Sequence, residues 1–267
     1  MAATRPERHD HRETDTTRPN VARIYNYLAG GSTHFAADRR AAELIREANP
    51  DATAVARDNK AWTARAVRWA AHQGIAQVLD LGAGLPLDPM PHQVAREVIP
   101  SALTAYVDND PVAAEHLAAL AAGEGPAVAA VDADLTGTGA VLALAGETLD
   151  FSEPACVLIA SVLHFMSPAE ARRIVSAYAA AVAPGSCIAL SAGYARDAAR
   201  IPRLRETYEA AQVHNHSPQA LASFLDGLDI VPPGVVPARR WRGDWGPSAP
   251  APAAVMEMLA AVAVKRR

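Results

Sequence analysis

The chain has 267 residues, of which half are hydrophobic and a fifth are charged, so it can bury a full core. A formal net charge of −4 and a pI of about 6.1 provide no basic surface, which argues against nucleic acid as a partner. No stretch approaches the ~18 consecutive apolar residues of a membrane span. The first residues lack the apolar segment of a signal peptide, so we expect a cytoplasmic protein without membrane association.

The N-terminal part of the chain divides into a tail and a helical block. Residues 1–18 are charged and polar without hydrophobic periodicity, which predicts a disordered tail. Residues 19–74 contain no strand pattern. Instead, apolar residues recur at helical spacing from Val21 to the Gly30-Gly31 turn, and again over 36–48 and 52–72. We interpret residues 19–74 as a helical cap.

From residue 75 to residue 267 the pattern changes to strands that alternate with helices. A capping box at Ser167–Glu170 begins one helix, and further helices are predicted at 197–212 and 218–226. The predicted strands are 76–81, 102–107, 127–131, 156–160, 187–190, 229–231 and 258–264. Because these strands are almost entirely apolar, the segment predicts an α/β core of the Rossmann-like type, a mostly parallel sheet with helices on both faces.

The two cysteines, Cys156 and Cys187, lie in predicted strands, which indicates buried thiols. A disulfide between them requires the two strands to adjoin, and nothing in the sequence indicates secretion.

The first predicted strand ends in a glycine turn formed by Asp80, Gly82, Ala83 and Gly84. Glycine permits a sharp turn and a close approach to a ligand, and open α/β sheets bind ligands at this edge. A dinucleotide site needs a third glycine where the chain has Leu87. S-adenosylmethionine has no phosphate, and Asp80 suits its sulfonium and ammonium groups. The turn therefore favours S-adenosylmethionine over a nicotinamide dinucleotide, with an ordinary structural turn as the alternative.

Acidic residues follow the next two strands. Asp108, with Asn109 after it, is positioned to accept both ribose hydroxyls of an adenosine cofactor, a role that both cofactor classes share. Asp134, with Leu135 after it, is expected to accept a hydrogen bond from the adenine amino group; a solvated loop carboxylate is the alternative. Ser161, directly after the fourth strand, completes the predicted cofactor-binding residues of the core.

These motifs stand in a specific order along the chain. The core contains the motifs Asp80–Pro86, Tyr106–Pro111, Asp134–Leu135 and Val162–Phe165. The N-terminal block contains Ala22–Gly31, His34–Arg39 and Arg57–Ala61. The C-terminal part contains Phe224–Gly227 and Pro233–Arg242. Together they resemble the actinobacterial S-adenosylmethionine-dependent methyltransferase family formerly catalogued as a domain of unknown function. The resemblance covers roughly residues 19–264. It implies a seven-stranded sheet whose last strand runs antiparallel, and S-adenosylmethionine as the cofactor.

Methyl transfer from a sulfonium is an in-line displacement, for which the protein must align the reacting atoms and exclude water. A general base is needed only if the acceptor starts protonated. His164 follows the fourth strand, and an imidazole there can take such a proton at neutral pH. The alternative is that His164 orients the cofactor loop or packs beneath it.

Candidates in the N-terminal block surround the turn at Gly31, which is expected to contact the cofactor. Tyr27 is favoured for a cation–π contact with the sulfonium, because Tyr25 falls on the apolar stripe of its helix. Arg23 and Asn59 are expected to bind the cofactor carboxylate through charge-assisted or amide hydrogen bonds. For Arg23, a surface ion pair is the equal alternative.

The sequence thus predicts an S-adenosylmethionine-dependent methyltransferase that acts on a small molecule by in-line transfer. Two alternatives stay open: a catalytically silent S-adenosylmethionine-binding regulatory protein, and a nicotinamide-dependent oxidoreductase. No metal is expected, because His214 and His216 have no further ligand at a suitable spacing. The acceptor and the oligomeric state are not determined by the sequence, which is compatible with a homodimer.

Overall fold

The structure is a computed structural model that describes residues 15–196, 212–243 and 256–266. Most of the predicted tail, residues 1–14, and most of the predicted helix at 197–212 lie outside the described residues.

A single mixed sheet forms the centre of the described structure. Its eight strands are β1 Gln77–Leu81, β2 Leu103–Asp108, β3 Val128–Asp132, β4 Cys156–Ala160, β5 Cys187–Ala195, β6 Asp229–Ile230, β7 Val236–Pro237 and β8 Met256–Val264. The strand order is β3-β2-β1-β4-β5-β8-β6, and β7 also pairs with β8. Strands β1 to β5 are parallel, whereas β8 runs antiparallel to β5. The expected α/β class and the antiparallel last strand are confirmed.

Eight α-helices lie among the described residues. They are α1 Val21–Ala29, α2 Ala36–Ala48, α3 Ala52–His72, α4 Pro91–Arg96, α5 Pro111–Glu124, α6 Thr138–Ala145, α7 Pro168–Ala181 and α8 Pro218–Phe224. Local side chains begin several of them: Asp110 caps α5 ahead of Pro111, and Ser167 and Glu170 form the expected capping box of α7. These caps hold the helix starts at the carboxyl edge of the sheet.

Both faces of the sheet are buried, as the apolar strands predicted. Along β1, Val78 belongs to the core beneath α3 and α4, while its neighbour Leu79 belongs to the core beneath α6, α7 and α8. Trp62 of α3 and Tyr178 of α7 are fully buried on these two sides. Consecutive strand residues point to opposite faces, so a strand covered on both sides must be apolar throughout.

Helix α3 links the N-terminal helices to the sheet. Its first turns, with Ala52 and Ala56, pack with Ile24, Leu28 and α2 in a small core of their own. Its later turns bury Trp62 and Trp69 against the sheet. The residues from 19 to 74 therefore form two layers: α1 and α2 cover one end of α3, and α3 itself covers the sheet.

The two cysteines lie opposite each other on adjacent strands. Cys156 of β4 and Cys187 of β5 are register partners, so the condition for a disulfide, adjoining strands, is met. Both thiols are nevertheless free and fully buried.

Candidate active site

A cavity of about 630 Å³ opens at the carboxyl edge of β1 to β4, beneath α1 and α3. The order of the strands reverses between β1 and β4, which is where open α/β sheets bind their ligands. The volume lies within the range of about 300–1,000 Å³ that is typical of cofactor and small-molecule sites.

Most of the predicted site residues meet at this cavity. The lining includes Asn59, Asp80, Gly82, Ala83, Gly84, Asp108, Asn109, Asp134, Leu135, Ser161 and His164. They come from four loops of the core and from α3, so the fold brings together residues that are up to 105 positions apart in sequence, from Asn59 to His164 (164 − 59).

The glycine turn is held by backbone hydrogen bonds. The amides of Gly82 and Ala83 donate to the Val107 carbonyl at 2.8 and 3.0 Å, which ties the loop to the end of β2. Gly82 has φ +69, and a Cβ there would lie 2.5 Å from Cγ2 of Val162. Glycine is therefore required at position 82 both by conformation and by space.

Asp108 shapes the same turn from the neighbouring strand. One oxygen, Oδ2, accepts from the amide of Gly84 at 2.7 Å, and Oδ1 accepts from the amide of Asp110 at 2.9 Å. Burial raises the pKa of Asp108, while these backbone hydrogen bonds act in the opposite direction. Since a carboxylate has about four acceptor positions, each oxygen can still accept a hydrogen bond from a ligand in the cavity.

Asp80 is the most deeply buried carboxylate of the cavity wall. Its side chain forms no hydrogen bond with another described residue, and the residue is 5% exposed. Burial raises the pKa of Asp80 to about 7, with the nearby Lys60 lowering it and Asp108 raising it further. Lys60 also lines the cavity, and burial lowers its pKa while Asp80 and Asp88 counteract this.

A chain of hydrogen bonds connects α1 and α3 to the loop after β4. Ser161 has φ +61, and its amide donates to the carbonyl and to Oγ of Ser191 at 3.2 and 3.0 Å. Ser191 Oγ donates to Asn59 Oδ1 at 2.7 Å, and Asn59 Nδ2 donates to the hydroxyl of Tyr25 at 3.0 Å. Tyr25 in turn donates to the Ala56 carbonyl at 3.1 Å. The network holds Ser161 in a conformation that non-glycine residues adopt at a cost of about 1–3 kcal/mol.

His164 lies in a single 3₁₀ turn over Leu163–Phe165 and is 9% exposed. Its Nδ1 accepts a hydrogen bond from the amide of Gly193 at 3.3 Å. Burial, and then the neighbouring His216, lower the pKa of His164 to about 3. The ring is therefore neutral at pH 7, and since Nδ1 is the acceptor, Nε2 carries the hydrogen. In this arrangement the imidazole is a hydrogen-bond donor at Nε2.

Three predicted residues do not line the cavity. Nε of Arg23 binds Asp38 at 2.9 Å, and Nη2 donates to two backbone carbonyls. The hydroxyl of Tyr27 donates to the exposed Glu43 at 2.9 Å. Gly31 packs directly on the side chain of Asn26. The prediction that these three residues bind the cofactor is not supported by this geometry. Arg23 forms an ion pair, as the alternative expected, but the pair is buried and does not lie at the surface.

The orientation of α1 explains the difference. Val21, Ala22, Tyr25 and Asn26 face the cavity, at helical spacing, while the face with Ile24 and Leu28 packs on α2 and α3. Tyr25, which sequence reasoning set aside as a core residue, is thus on the cavity wall. The helix has two buried faces, and its apolar stripe identifies only the more hydrophobic one.

Sequence reasoning also missed Lys60 and Thr63 of α3, and Phe165, Met166 and Glu170 near the start of α7. The sequence does offer grounds for predicting Lys60 as a site residue, because Lys60 directly follows the predicted Asn59 and is one of only two lysines in the chain.

The sequence matches the family model described as S-adenosyl methyltransferase over residues 7–266. The chain belongs to the S-adenosyl methyltransferase family. Two crystal structures are similar to this family member over nearly their full length. One is a candidate methyltransferase from Thermobifida fusca, with 32% identity, a TM-score of 0.85, and coverage of 95% of this chain and 97% of that chain. The other is a DUF574 family protein from Streptomyces avermitilis, with 30% identity, a TM-score of 0.84, and coverage of 94% and 99%.

No curated protein matches the sequence. The family assignment confirms the predicted resemblance: this methyltransferase is S-adenosylmethionine-dependent and has the Rossmann-like fold of its relatives.

Over the described ranges, no helix of the methyltransferase has the length and hydrophobicity needed to cross a membrane. Within the same residues, no group of three or more His, Cys, Asp or Glu side chains is arranged to hold a metal ion.

Proposed function

We propose that the cavity binds S-adenosylmethionine along the glycine turn and a small-molecule acceptor beside it, beneath α1 and the His164 turn. The observation that carries this proposal is the environment of Asp80. A carboxylate that is buried without a hydrogen-bond partner costs free energy unless a ligand pairs with it. The ammonium and sulfonium groups of S-adenosylmethionine can provide a positively charged partner for the Asp80 carboxylate.

The adenosine half of the cofactor fits the next two strand ends. Asp108 retains acceptor capacity on both oxygens for the ribose hydroxyls, and Asn109 follows it on the same wall. Asp134 stands at the open rim, with Oδ1 accepting from the Thr136 amide at 2.8 Å and Oδ2 available to the adenine amino group. Leu135 provides an apolar surface against the adenine ring. Gly82 and Gly84 allow the backbone to approach the ligand closely.

When bound, S-adenosylmethionine supplies an activated methyl group on sulfur. The residues of the chain hold the acceptor in line with that group and keep water away. Val162, Phe165 and Met166 give the outer wall an apolar surface that suits this purpose. Five carboxylates line the same cavity as a single lysine, so the site favours a neutral or cationic acceptor over an anionic one; they belong to Asp80, Asp108, Asp110, Asp134 and Glu170.

His164 acts as a positioning donor in this proposal. Because its Nδ1 is occupied by the amide of Gly193, a base at this position would have to use Nε2, which carries the hydrogen. We therefore propose a substrate whose methyl-accepting atom has a free lone pair at neutral pH, such as an unprotonated nitrogen, and which accepts the Nε2 hydrogen at a different atom. An acceptor of this kind requires no general base.

Calorimetric titration with S-adenosylmethionine, S-adenosylhomocysteine and NAD tests the cofactor site. We expect micromolar binding of both sulfur ligands, none of NAD, and loss of binding in Asp108→Ala. Asp132→Ala is the matched control, since Asp132 pairs with Asp108 in the sheet but is exposed outside the cavity. Equal affinity of wild type and Asp108→Ala, or tight binding of NAD, would contradict the proposal.

A further inference from the structure

We propose that Lys60 and Asp80 together form an amino-acid clamp, in which Lys60 binds the carboxylate and Asp80 the ammonium group at the methionine end of the cofactor. This inference rests on the proposed cofactor site and assigns a residue to a group that the sequence analysis had given to Arg23 and Asn59.

Lys60 is placed to do this. It lies on α3 at the wall of the cavity, and among the described lining residues it is the only lysine or arginine. It forms no ion pair or hydrogen bond with another described residue, although Asp80 and Asp88 are close enough to influence it. A half-buried ammonium group without a partner needs a counter-charge, which a ligand in the cavity can provide.

The other candidates for the carboxylate are held by partners within the protein. Arg23 is turned away from the cavity and pairs with the fully buried Asp38. Asn59 uses one N–H of its amide toward Tyr25 and its oxygen toward Ser191, so it has at most one neutral N–H to offer and no charge. Neither side chain can leave its partner without leaving a buried polar group unpaired. Lys60 is the remaining cationic group on this wall.

The charges of the clamp match those of an α-amino acid. Lys60 and Asp80 influence each other electrostatically and do not form an ion pair, and both line the same cavity, where one ligand can reach them. A zwitterion carries a carboxylate and an ammonium group on one carbon and can satisfy both residues at once. Burial lowers the pKa of Lys60 and raises that of Asp80 to about 7, and such a ligand opposes both shifts.

The decisive experiment compares two cofactors that differ in the carboxylate. Decarboxylated S-adenosylmethionine keeps the sulfonium and the amine but lacks the carboxylate. Lys60→Met should weaken binding of S-adenosylmethionine by roughly tenfold to a hundredfold, the value of one charge-assisted hydrogen bond. The same variant should bind the decarboxylated cofactor as wild type does, whereas Asp80→Asn should weaken both ligands.

Lys265→Met is the matched control, because Lys265 is the second lysine of the chain and donates to the carbonyls of Ala180 and Val182, away from the cavity. Its affinity for both cofactors should equal that of wild type. A Lys60→Met variant that loses both ligands equally, or neither, would overturn the clamp while leaving the cofactor site in place. Wild-type protein that binds neither ligand would overturn the proposed function and the clamp with it.

A measurement on the unmutated chain provides an independent check. Reductive methylation with ¹³C-formaldehyde labels only the two lysines and the N-terminal amine, and Lys265→Met assigns the signals. Saturation with S-adenosylhomocysteine should shift the Lys60 signal and raise the pKa of Lys60, because a carboxylate now neighbours it. A Lys60 signal and pKa that do not change at saturation would refute the clamp.

Discussion

The side-chain amide of Asn59 donates a 3.0 Å hydrogen bond to the hydroxyl of Tyr25, which joins α3 to α1 across 34 positions of sequence. The same amide group accepts from Ser191 of β5, so one side chain connects α1, the sheet and the loop that carries Ser161. The position of α1 over the cavity therefore depends on a polar contact as well as on the apolar core around Ile24.

Tyr25→Phe tests this connection. Removal of the hydroxyl leaves an N–H of Asn59 without its partner and takes the side-chain hydrogen bond from the Ala56 carbonyl, so we expect the free energy of unfolding to fall by about 1–3 kcal/mol. Cofactor affinity should fall as well, because Ser161 loses support. Urea unfolding followed by circular dichroism measures the first effect and calorimetry the second.

Tyr27→Phe, two residues along the same helix, is the control for Tyr25→Phe. The hydroxyl of Tyr27 reaches only the exposed Glu43, so its removal should change stability by no more than about 0.5 kcal/mol. Equal effects of the two substitutions would show that the internal network has no special role.

Much of the fold was predictable because its signals are local. The Asp110 and Ser167 caps begin α5 and α7 as expected, since a cap requires only neighbouring residues. The two-residue strand β7 was missed, because Val236 and Pro237 are too short a segment to show alternation, and they pair only with a distant part of the chain.

The site was less predictable where long-range contacts decide a residue's role. The sequence places Asp80 and Asp108 at adjacent strand ends, and the structure brings both to the cavity. Whether Arg23 is available to the cofactor depends on Asp38 of α2, which binds Arg23 of α1 where the two helices pack together. The tautomer of His164 depends on the amide of Gly193, on a strand that no local pattern relates to it.

Asp80→Asn should stabilise the ligand-free protein at neutral and higher pH. The pKa of Asp80 is about 7 in the folded state and 3.8 when unperturbed, so as pH rises Asp80 loses its proton in the unfolded state before it does so in the folded state. The folded state therefore loses stability as pH rises from about 4 to 7. The neutral amide avoids this loss. We expect a gain on the order of 2–4 kcal/mol at pH 8 that shrinks toward pH 5, measured by urea unfolding at both pH values. A constant difference across this range would argue against titration of Asp80.

Binding of S-adenosylmethionine should release a proton near pH 7. Below its pKa of about 7, Asp80 carries a proton that the incoming cationic groups displace, so affinity should rise with pH from 5.5 to about 7 and then level off. Titrations at pH 6.5 in buffers of different ionisation enthalpy measure the number of protons released. Asp80→Asn should bind more weakly and release none. Equal release by both proteins would assign the proton to another group.

His164 should lower stability in acid. The pKa of His164 is about 3 in the folded state and 6.5 when unperturbed, so below pH 6.5 the unfolded state takes up a proton that the folded state does not. The folded protein therefore keeps its full stability above pH 6.5 and loses stability progressively as pH falls toward 3. His164→Gln removes this titration. As pH falls from 7.5 to 5, the free energy of unfolding of the variant should therefore rise relative to that of wild type by up to about 2 kcal/mol. The slope below pH 6.5 is about 1.4 kcal/mol per pH unit. A difference between variant and wild type that stays constant from pH 7.5 to pH 5 would show that burial does not lower the pKa of His164.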